Sequence, residues 1–257
     1  MLLAIDIGNT NIVFGVFNDE NLVFEWRIST DKNKTSDEYG LLFKQVLAYS
    51  NIKDDNVGQI IIGSVVPDLT STIVRAMSRY FKIKPMIVDS DTYIGIANKY
   101  TNPEEVGVDR LINCVAAFNI YKGASLVVDI GTAISFDYIN ENGEYLGGAI
   151  APGLGIAAQA LFSKTAKLPK IELEKPESFI GTTTEQSMQS GLVNGYIGLV
   201  DYLIEGMLKE KQKSESDVNI IATGGFSKLI MQSSRYIKKI DKMLTLEGLK
   251  IINDLNR

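Results

Sequence analysis

Ala4-Ile5-Asp6-Ile7-Gly8-Asn9-Thr10-Asn11-Ile12-Val13 and Val127-Val128-Asp129-Ile130-Gly131-Thr132-Ala133-Ile134-Ser135-Phe136 are two versions of one phrase. Each is an apolar strand, an aspartate at its end, Ile-Gly, a short polar turn and a second apolar run. A turn of this kind exposes successive backbone N–H groups beside hydroxyl and amide side chains, a donor array suited to phosphate oxygens. The strand-end carboxylate adds a hard oxygen ligand of the kind Mg²⁺ takes, directly or through water. One copy alone reads equally well as a β-turn with Gly and Asn placed for backbone reasons. The second copy, with Asp129, Gly131 and Thr132, points to two similar halves that close on one nucleotide.

Outward from these phrases the two halves keep the same order. In the first, strands are expected at Leu2 to Asp6, Ile12 to Phe17 and Leu22 to Ile28, with turns at Gly8-Asn9 and Asn18-Asp19-Glu20-Asn21. Ser36-Asp37-Glu38 is expected to cap a helix with Leu41, Leu42, Phe43, Val46 and Leu47 at helical spacing. A strand at Gln59 to Ser64, a helix opened by Pro67 and running through Phe81, and a short strand at Met86 to Val88 follow. The second half offers strands at Ser125 to Asp129, Ala133 to Ile139 and Tyr145 to Ile150, a long helical stretch, a strand at Asn219 to Ala222 and a helix after Gly224-Gly225. The shared order β-β-β-α-β-α predicts an α/β fold with a mixed five-stranded sheet in each half and helices on its faces. The expected division is 1–116 and 117–257. Residues 97–120 join the halves, with a helix over Arg110 to Asn119, and the tail from Ser233 is shorter than its counterpart.

Composition narrows the chemistry. The chain has 257 residues, 45% hydrophobic and 22% charged, with a net charge of −5, which argues against a nucleic-acid-binding surface. It contains no histidine, which excludes Ser-His-Asp and Cys-His catalysis and His-ligated zinc. A general base must be a carboxylate, lysine, tyrosine or thiol. The single cysteine, Cys114, lies in the apolar-periodic run Leu111 to Phe118 and reads as a small buried residue. No positive residue precedes Asp6 as in a secretory signal, and no run approaches a membrane span of roughly 18 apolar residues. A soluble cytoplasmic protein without membrane or nucleic-acid partners is expected.

Other phosphate motifs fail. No Gly-x4-Gly-Lys-Ser/Thr loop is present. Gly153-Leu154-Gly155-Ile156-Ala157-Ala158 matches a dinucleotide fingerprint, but Pro152 precedes it and it closes an antiparallel hairpin instead of a parallel β-α-β unit.

The two Asp-Ile-Gly hairpins resemble the phosphate motifs of the actin/Hsp70/sugar-kinase superfamily, whose duplicated ribonuclease H-like fold has this strand order. In finer detail the chain resembles type III pantothenate kinases. The likeness rests on Asp6-Ile-Gly-Asn-Thr-Asn11, Ser64-Val-Val-Pro67, Gly107-Val-Asp-Arg110, Asp129-Ile-Gly-Thr-Ala133, Ala151-Pro-Gly153 and Thr223-Gly-Gly225, in that order along the chain. It implies ATP-dependent phosphorylation of pantothenate to 4′-phosphopantothenate, the first step of coenzyme A synthesis, by a homodimer. Under it Asp6, Ile7, Gly8, Asn9, Thr10, Asn11, Ile12 and Val13 form the first phosphate loop, with Asp6 serving Mg²⁺. Thr132 contacts ATP, and Gly224 and Gly225 lie near the adenosine. Asp129 matches the ligand of a monovalent cation, K⁺ or NH₄⁺. Gly107, Val108, Asp109 and Arg110 match the pantothenate loop with Asp109 as general base, and Tyr100 and Thr184 match further pantothenate contacts. Val108 replaces the alanine often found there, a mild departure.

Read without the resemblance, several of these residues keep a second meaning. Asp109 is either a cleft carboxylate that takes the hydroxyl proton or a solvated charge favoured by a helix start. Arg110 pairs with a substrate carboxylate, steadies Asp109 or makes a surface ion pair. Tyr100 is equally a packed aromatic, and Thr184 an N-cap for a helix starting near Glu185. Gly191, Gly195 and Gly198 read as close helix packing or a dimer contact. Two other functions remain open: a non-catalytic regulatory relative of the same fold, such as an accessory transcription factor, and a kinase for another small hydroxy-acid or sugar.

Overall fold

The computed structural model describes residues 1–257. The elements, in chain order, are β1 (Leu2–Ile7), β2 (Asn11–Asn18), β3 (Asn21–Ser29), α1 (Ser36–Tyr49), β4 (Gln59–Ser64), α2 (Pro67–Tyr80), β5 (Met86–Ile87), β6 (Ala97–Asn98) and α3 (Val108–Tyr121). They continue as β7 (Ser125–Ile130), β8 (Ala133–Ile139), β9 (Glu144–Pro152), α4 (Leu154–Lys164), α5 (Thr184–Gln189), α6 (Gly195–Glu210), β10 (Asn219–Thr223), α7 (Ser227–Met231), β11 (Lys239–Ile240) and α8 (Leu244–Leu255). A π-helical turn, Ser190–Asn194, joins α5 to α6. No helix is long and apolar enough to cross a membrane.

Two compact units divide the chain. Unit 1 is Met1–Ile96, Thr101–Ala116 and Leu244–Arg257; unit 2 is Ala97–Tyr100 and Ala117–Met243. Ala116/Ala117, within α3, is thus one switch point, and Ala97–Tyr100 and Leu244–Arg257 are assigned across it.

Unit 1 carries a five-stranded sheet in the order β3-β2-β1-β4-β5. β1 pairs antiparallel with β2 and parallel with β4, with Asp6 opposite Val13 on one side and Gly63 on the other. Leu3, Ile5 and Ile7 pack with Tyr39, Phe43 and Leu47 of α1 and Leu69, Ile73 and Met77 of α2. Thr35 and Glu38 close a reciprocal capping box at the start of α1. Alternation along the strand turns Leu2, Ala4 and Asp6 to the other face. That face is covered by α8, which packs on β1, β4 and β2. The tail is therefore no eroded repeat: α8 belongs to the first unit.

Unit 2 repeats the order as β11-β10-β7-β8-β9, then adds β6. The expected five strands become six because Ala97 and Asn98 pair parallel with Glu144 and Tyr145 of β9. A two-residue strand carries no periodicity to read. Leu126, Val128 and Ile130 pack with Val193, Ile197, Val200 and Ile204 of the π-turn and α6. The long helical stretch resolves into α4, an irregular segment, and the α5–π–α6 run. Pro152 ends β9, antiparallel to β8, and α4 follows, so the glycines after it do not form a dinucleotide turn. Cys114 is fully buried.

Gly191, Gly195 and Gly198 do not pack closely within the chain, because a Cβ at any of them would meet nothing within 4 Å. Gly248 is the opposite case: a Cβ there would stand 2.3 Å from the Ile112 carbonyl oxygen, so α8 crosses α3 at van der Waals contact. Gly248→Ala should therefore cost about 1–3 kcal/mol through overpacking. Gly206→Ala on α6, where a Cβ meets nothing within 4 Å, should stabilise by about 1 kcal/mol from helix propensity. Urea denaturation of both variants checks the contrast; equal effects would contradict the packing of α8 on α3.

Candidate functional site

In unit 1 the first hairpin turns through Gly8, Asn9, Thr10 and Asn11 between the paired residues Ile7 and Ile12. Gly8 N donates to the Asn11 carbonyl at 3.0 Å, Thr30 N to the Thr10 carbonyl at 2.9 Å, and Thr30 Oγ1 to the Gly8 carbonyl at 2.6 Å. The loop is thus tied from two sides, while Asn9 and Thr10 are exposed and Asp6 is half-buried at the strand end.

Asp109 arrives at the same end of the sheet by a different route. Residues paired across neighbouring strands point to one face, so Gly63 shares the face of Asp6. A Cβ at Gly63 would lie 2.6 Å from Ile112 Cδ1, which places α3 against that face. Asp109 lies three residues before Ile112, on the same side of the helix. Two local contacts agree. Val65 N donates to the Ile7 carbonyl at 3.1 Å, and a Cβ at Gly107 would stand 2.6 Å from Asp109 Oδ1 and 3.9 Å from Val65. Unit 1 therefore brings Asp6, the first loop, Gly107, Val108, Asp109 and Arg110 to one end of one sheet.

The Asp109 carboxyl is held above its ordinary value of 3.8. Burial raises it; the backbone N–H of Arg110, which donates to Oδ1 at 2.9 Å, and the Arg110 charge oppose that rise without cancelling it. A solvated charge at a helix start would be pulled down by the macrodipole. The fold has instead made this carboxylate more basic, which suits proton acceptance.

In unit 2 the second hairpin is a residue shorter, with Gly131, Thr132 and Ala133 between the paired Ile130 and Ile134. Gly131 N donates to the Ala133 carbonyl at 3.0 Å, and Gly153 N, at the start of α4, donates to the Thr132 carbonyl at 3.1 Å. Thr132 is exposed and Asp129 half-buried. Gly224 follows β10 at φ +87°, and a Cβ there would meet Asp129 Oδ1 at 2.5 Å and the Ile130 carbonyl carbon at 2.5 Å. Backbone thus lies directly on the carboxylate, an approach only glycine allows. Gly225 has open space around its Cα. Beyond it, α7 and β11 line a cavity of about 570 Å³ with Lys228, Met231, Gln232, Ile240 and Lys242.

The remaining expected residues are also in unit 2. Tyr100 follows β6, and its ring lies over that of Tyr145 with centroids 6.3 Å apart. Thr184 is the first residue of α5, not its cap; Thr183 accepts from Gln186 N and caps the helix. Thr184, Ser187 and Met188, with Leu161 and Leu192, line an open pocket of about 360 Å³. Gly153, which pins the second loop, and Tyr145, on which the Tyr100 ring packs, carry no local sequence signal of those roles.

No group of three or more His, Cys, Asp or Glu side chains is positioned to hold a metal. Asp6 and Asp129 are single carboxylates beside backbone donors, which fits cations that share their coordination with phosphate oxygens and water.

Comparison with known proteins agrees with the architecture. A family model described as type III pantothenate kinase matches residues 2–206. A type III pantothenate kinase from Finegoldia magna is 62% identical over 257 residues, covering 100% of this chain and 98% of its own. One from Geobacter sp. (strain M21) is 48% identical, covering 100% of both chains. Among solved structures, the activator of 2-hydroxyisocaproyl-CoA dehydratase from Clostridium difficile with bound ADPNP superposes with a TM-score of 0.53 at 10% identity, covering 99% of this chain and 95% of its own. A candidate Baf family transcriptional activator from Campylobacter jejuni gives 0.59 at 21% identity, covering 99% and 98%. At those identities the structures speak for the shared actin-like, ribonuclease H-like fold alone.

Because burial favours the protonated form of Asp109, its ionised form weighs against folding above the raised pKa, and that cost disappears below the ordinary value. Asp109→Asn should therefore melt at the same or a higher temperature than the parent near neutral pH. The gain should shrink as pH falls through the raised pKa. Thermal melts across that range check the sign; a loss of stability that grows with pH would contradict it.

Proposed function

The chain belongs to the type III pantothenate kinase family, and we propose that it phosphorylates the primary hydroxyl of pantothenate with ATP, using Asp109 as the general base. The observation that carries the assignment of the base is the basic, half-buried carboxylate of Asp109 on the sheet face and at the strand end that bear Asp6. In a chain without histidine, that is the acceptor the reaction needs.

In this reading the substrate hydroxyl gives its proton to Asp109 as its oxygen attacks the γ-phosphorus. The bond from that phosphorus to the bridging oxygen breaks, and ADP leaves. Asp6 to Val13 receive phosphate oxygens on backbone N–H groups and on Asn9, Thr10 and Asn11; Thr132 adds a further contact from unit 2. Gly224, Gly225 and the cavity beside α7 take the adenosine. Gly107, Val108 and Arg110 hold pantothenate, with Arg110 facing its carboxylate, and Tyr100 and Thr184 supply further contacts. Asp6 would hold Mg²⁺, directly or through water, and Asp129 the monovalent cation, K⁺ or NH₄⁺. Together these cations supply positive charge against the phosphates when bound.

The reading extends to a cytoplasmic homodimer. It is supported by the exposed Phe179, Ile180 and Tyr202 of unit 2 and by the open space at Gly191, Gly195 and Gly198.

Asp109→Asn should lower kcat by about 10²–10⁴-fold while calorimetry shows ATP and pantothenate still bound; turnover close to that of the parent would remove Asp109 as the base. For Asp129, the parent enzyme should require K⁺ or NH₄⁺ and Asp129→Asn should lose that response. An identical cation titration for both proteins would detach Asp129 from the ion.

A further inference from the structure

Unit 2 contains a carboxylate that the reaction above does not use. Asp137, on β8, is fully buried. Ser135 Oγ donates to its Oδ2 at 2.8 Å, and the Tyr145 hydroxyl donates to its Oδ1 at 3.0 Å. Removing a charge from water costs several kcal/mol even when it is hydrogen-bonded, and an apolar residue fills a strand interior without that cost. The position of Asp137 therefore has to be explained by what it holds.

What it holds is the Tyr145 ring, itself fully buried. Tyr145 is the hub of the edge that carries Tyr100. Asn98 of β6 is its register partner, and Lys99 N donates to its carbonyl at 2.9 Å. The Tyr100 ring lies over its ring, tilted by 34°. Gly147, at φ +108°, completes the seat: a Cβ there would come within 3.3 Å of Tyr100 Cε2. β6 itself is two residues long, far below the usual five or six. Its pairing alone fixes little, and the aromatic contact has to do the rest.

We propose that Asp137 is a positioning residue for the acceptor substrate: by fixing the Tyr145 hydroxyl it locks the ring against which Tyr100 packs, and so sets where Tyr100 meets pantothenate. The inference rests on Tyr100 as a pantothenate contact. Asp137 touches no reactant and acts through Tyr145.

Two readouts separate this proposal from that premise. The first is ¹⁹F NMR of ligand-free, fluorotyrosine-labelled protein, with the Tyr100 resonance assigned by its loss in Tyr100→Phe. Asp137→Ala and Tyr145→Phe should both move that resonance, whereas Asp137→Asn, which keeps an acceptor for the hydroxyl, should leave it near the parent position. The second is steady-state kinetics below the melting temperature of each variant. Asp137→Ala and Tyr145→Phe should raise KM for pantothenate about tenfold, the scale of one lost buried hydrogen bond. In the same variants kcat and KM for ATP should stay within about threefold, and Asp137→Asn should restore KM. An unmoved Tyr100 resonance overturns the link from Asp137 to Tyr100. A moved resonance with unchanged KM, alongside an unaffected Tyr100→Ala, overturns the premise that Tyr100 contacts pantothenate. Equal losses in both KM values and kcat overturn the positioning role in favour of a purely structural one. Tyr145→Phe retains the ring and its packing, so the test survives if Asp137→Ala does not fold.

Discussion

In each unit one strand is buried on both faces, and a carboxylate without buried side-chain donors like those around Asp137 stands on such a strand most cheaply where its cover runs out. Leu2 to Ile5 and Ser125 to Val128 are fully enclosed, and the first half-buried position in each strand is the aspartate. Moving either carboxylate one pair of residues inward would place an ion among aliphatic side chains at a cost of several kcal/mol. The cost fixes Asp6 and Asp129 at the carboxyl ends of β1 and β7. Each of these strands has a parallel neighbour that ends beside it, β4 in one case and β10 in the other. Ligand sites in α/β sheets gather at such ends, where loops leave the sheet and backbone donors are free to turn outward.

The same frame is finished differently in the two units. In unit 1, β4 leaves through Val65 toward Asp109, and the missing side chain at Gly63 lets α3 close on the sheet. In unit 2, β10 leaves through Gly224, whose backbone is pressed on the Asp129 carboxylate. The first loop has the extra residue and the exposed amides and hydroxyls; the second is shorter and pinned by Gly153. One end of the duplicated plan has thus become rich in donors with a basic carboxylate nearby. The other has become a tight backbone nest around a carboxylate.

What sequence could reveal follows from these forces. The central strands and their terminal aspartates were legible because burial on both faces writes itself as an apolar run with one polar interruption. α1 and α2 were legible because their apolar spacing is local and Pro67 marks the first turn of α2, although the cap of α1 falls on Thr35, one residue before the Ser36-Asp37-Glu38 stretch. β6 was not, since two residues take their conformation from β9. The allegiance of α8 was not legible either: it depends on Gly248 fitting the Ile112 carbonyl, a contact between segments far apart in the chain. Gly191, Gly195 and Gly198 misled because glycine marks close packing and open space alike. The cap of α5 is not legible either: three threonines in a row offer the same hydroxyl, and it is Thr183, in extended geometry, whose side chain accepts from Gln186 N.

Tyr100 and Asp109 both lie in the segment 97–120 that joins the halves, and they show why one joining segment need not be one structural piece. They are close in sequence, yet Tyr100 belongs to unit 2 and Asp109 to unit 1. Different forces hold them. Tyr100 hangs on a two-residue parallel pairing and a ring contact, both of which involve Tyr145, and on the room left by Gly147. Asp109 is set by the docking of α3 through Ile112 and Gly248 and by the Gly107 backbone. The two residues therefore rest on separate anchors: a change at Tyr145 disturbs the seat of Tyr100, whereas a change where α3 packs on the sheet disturbs that of Asp109.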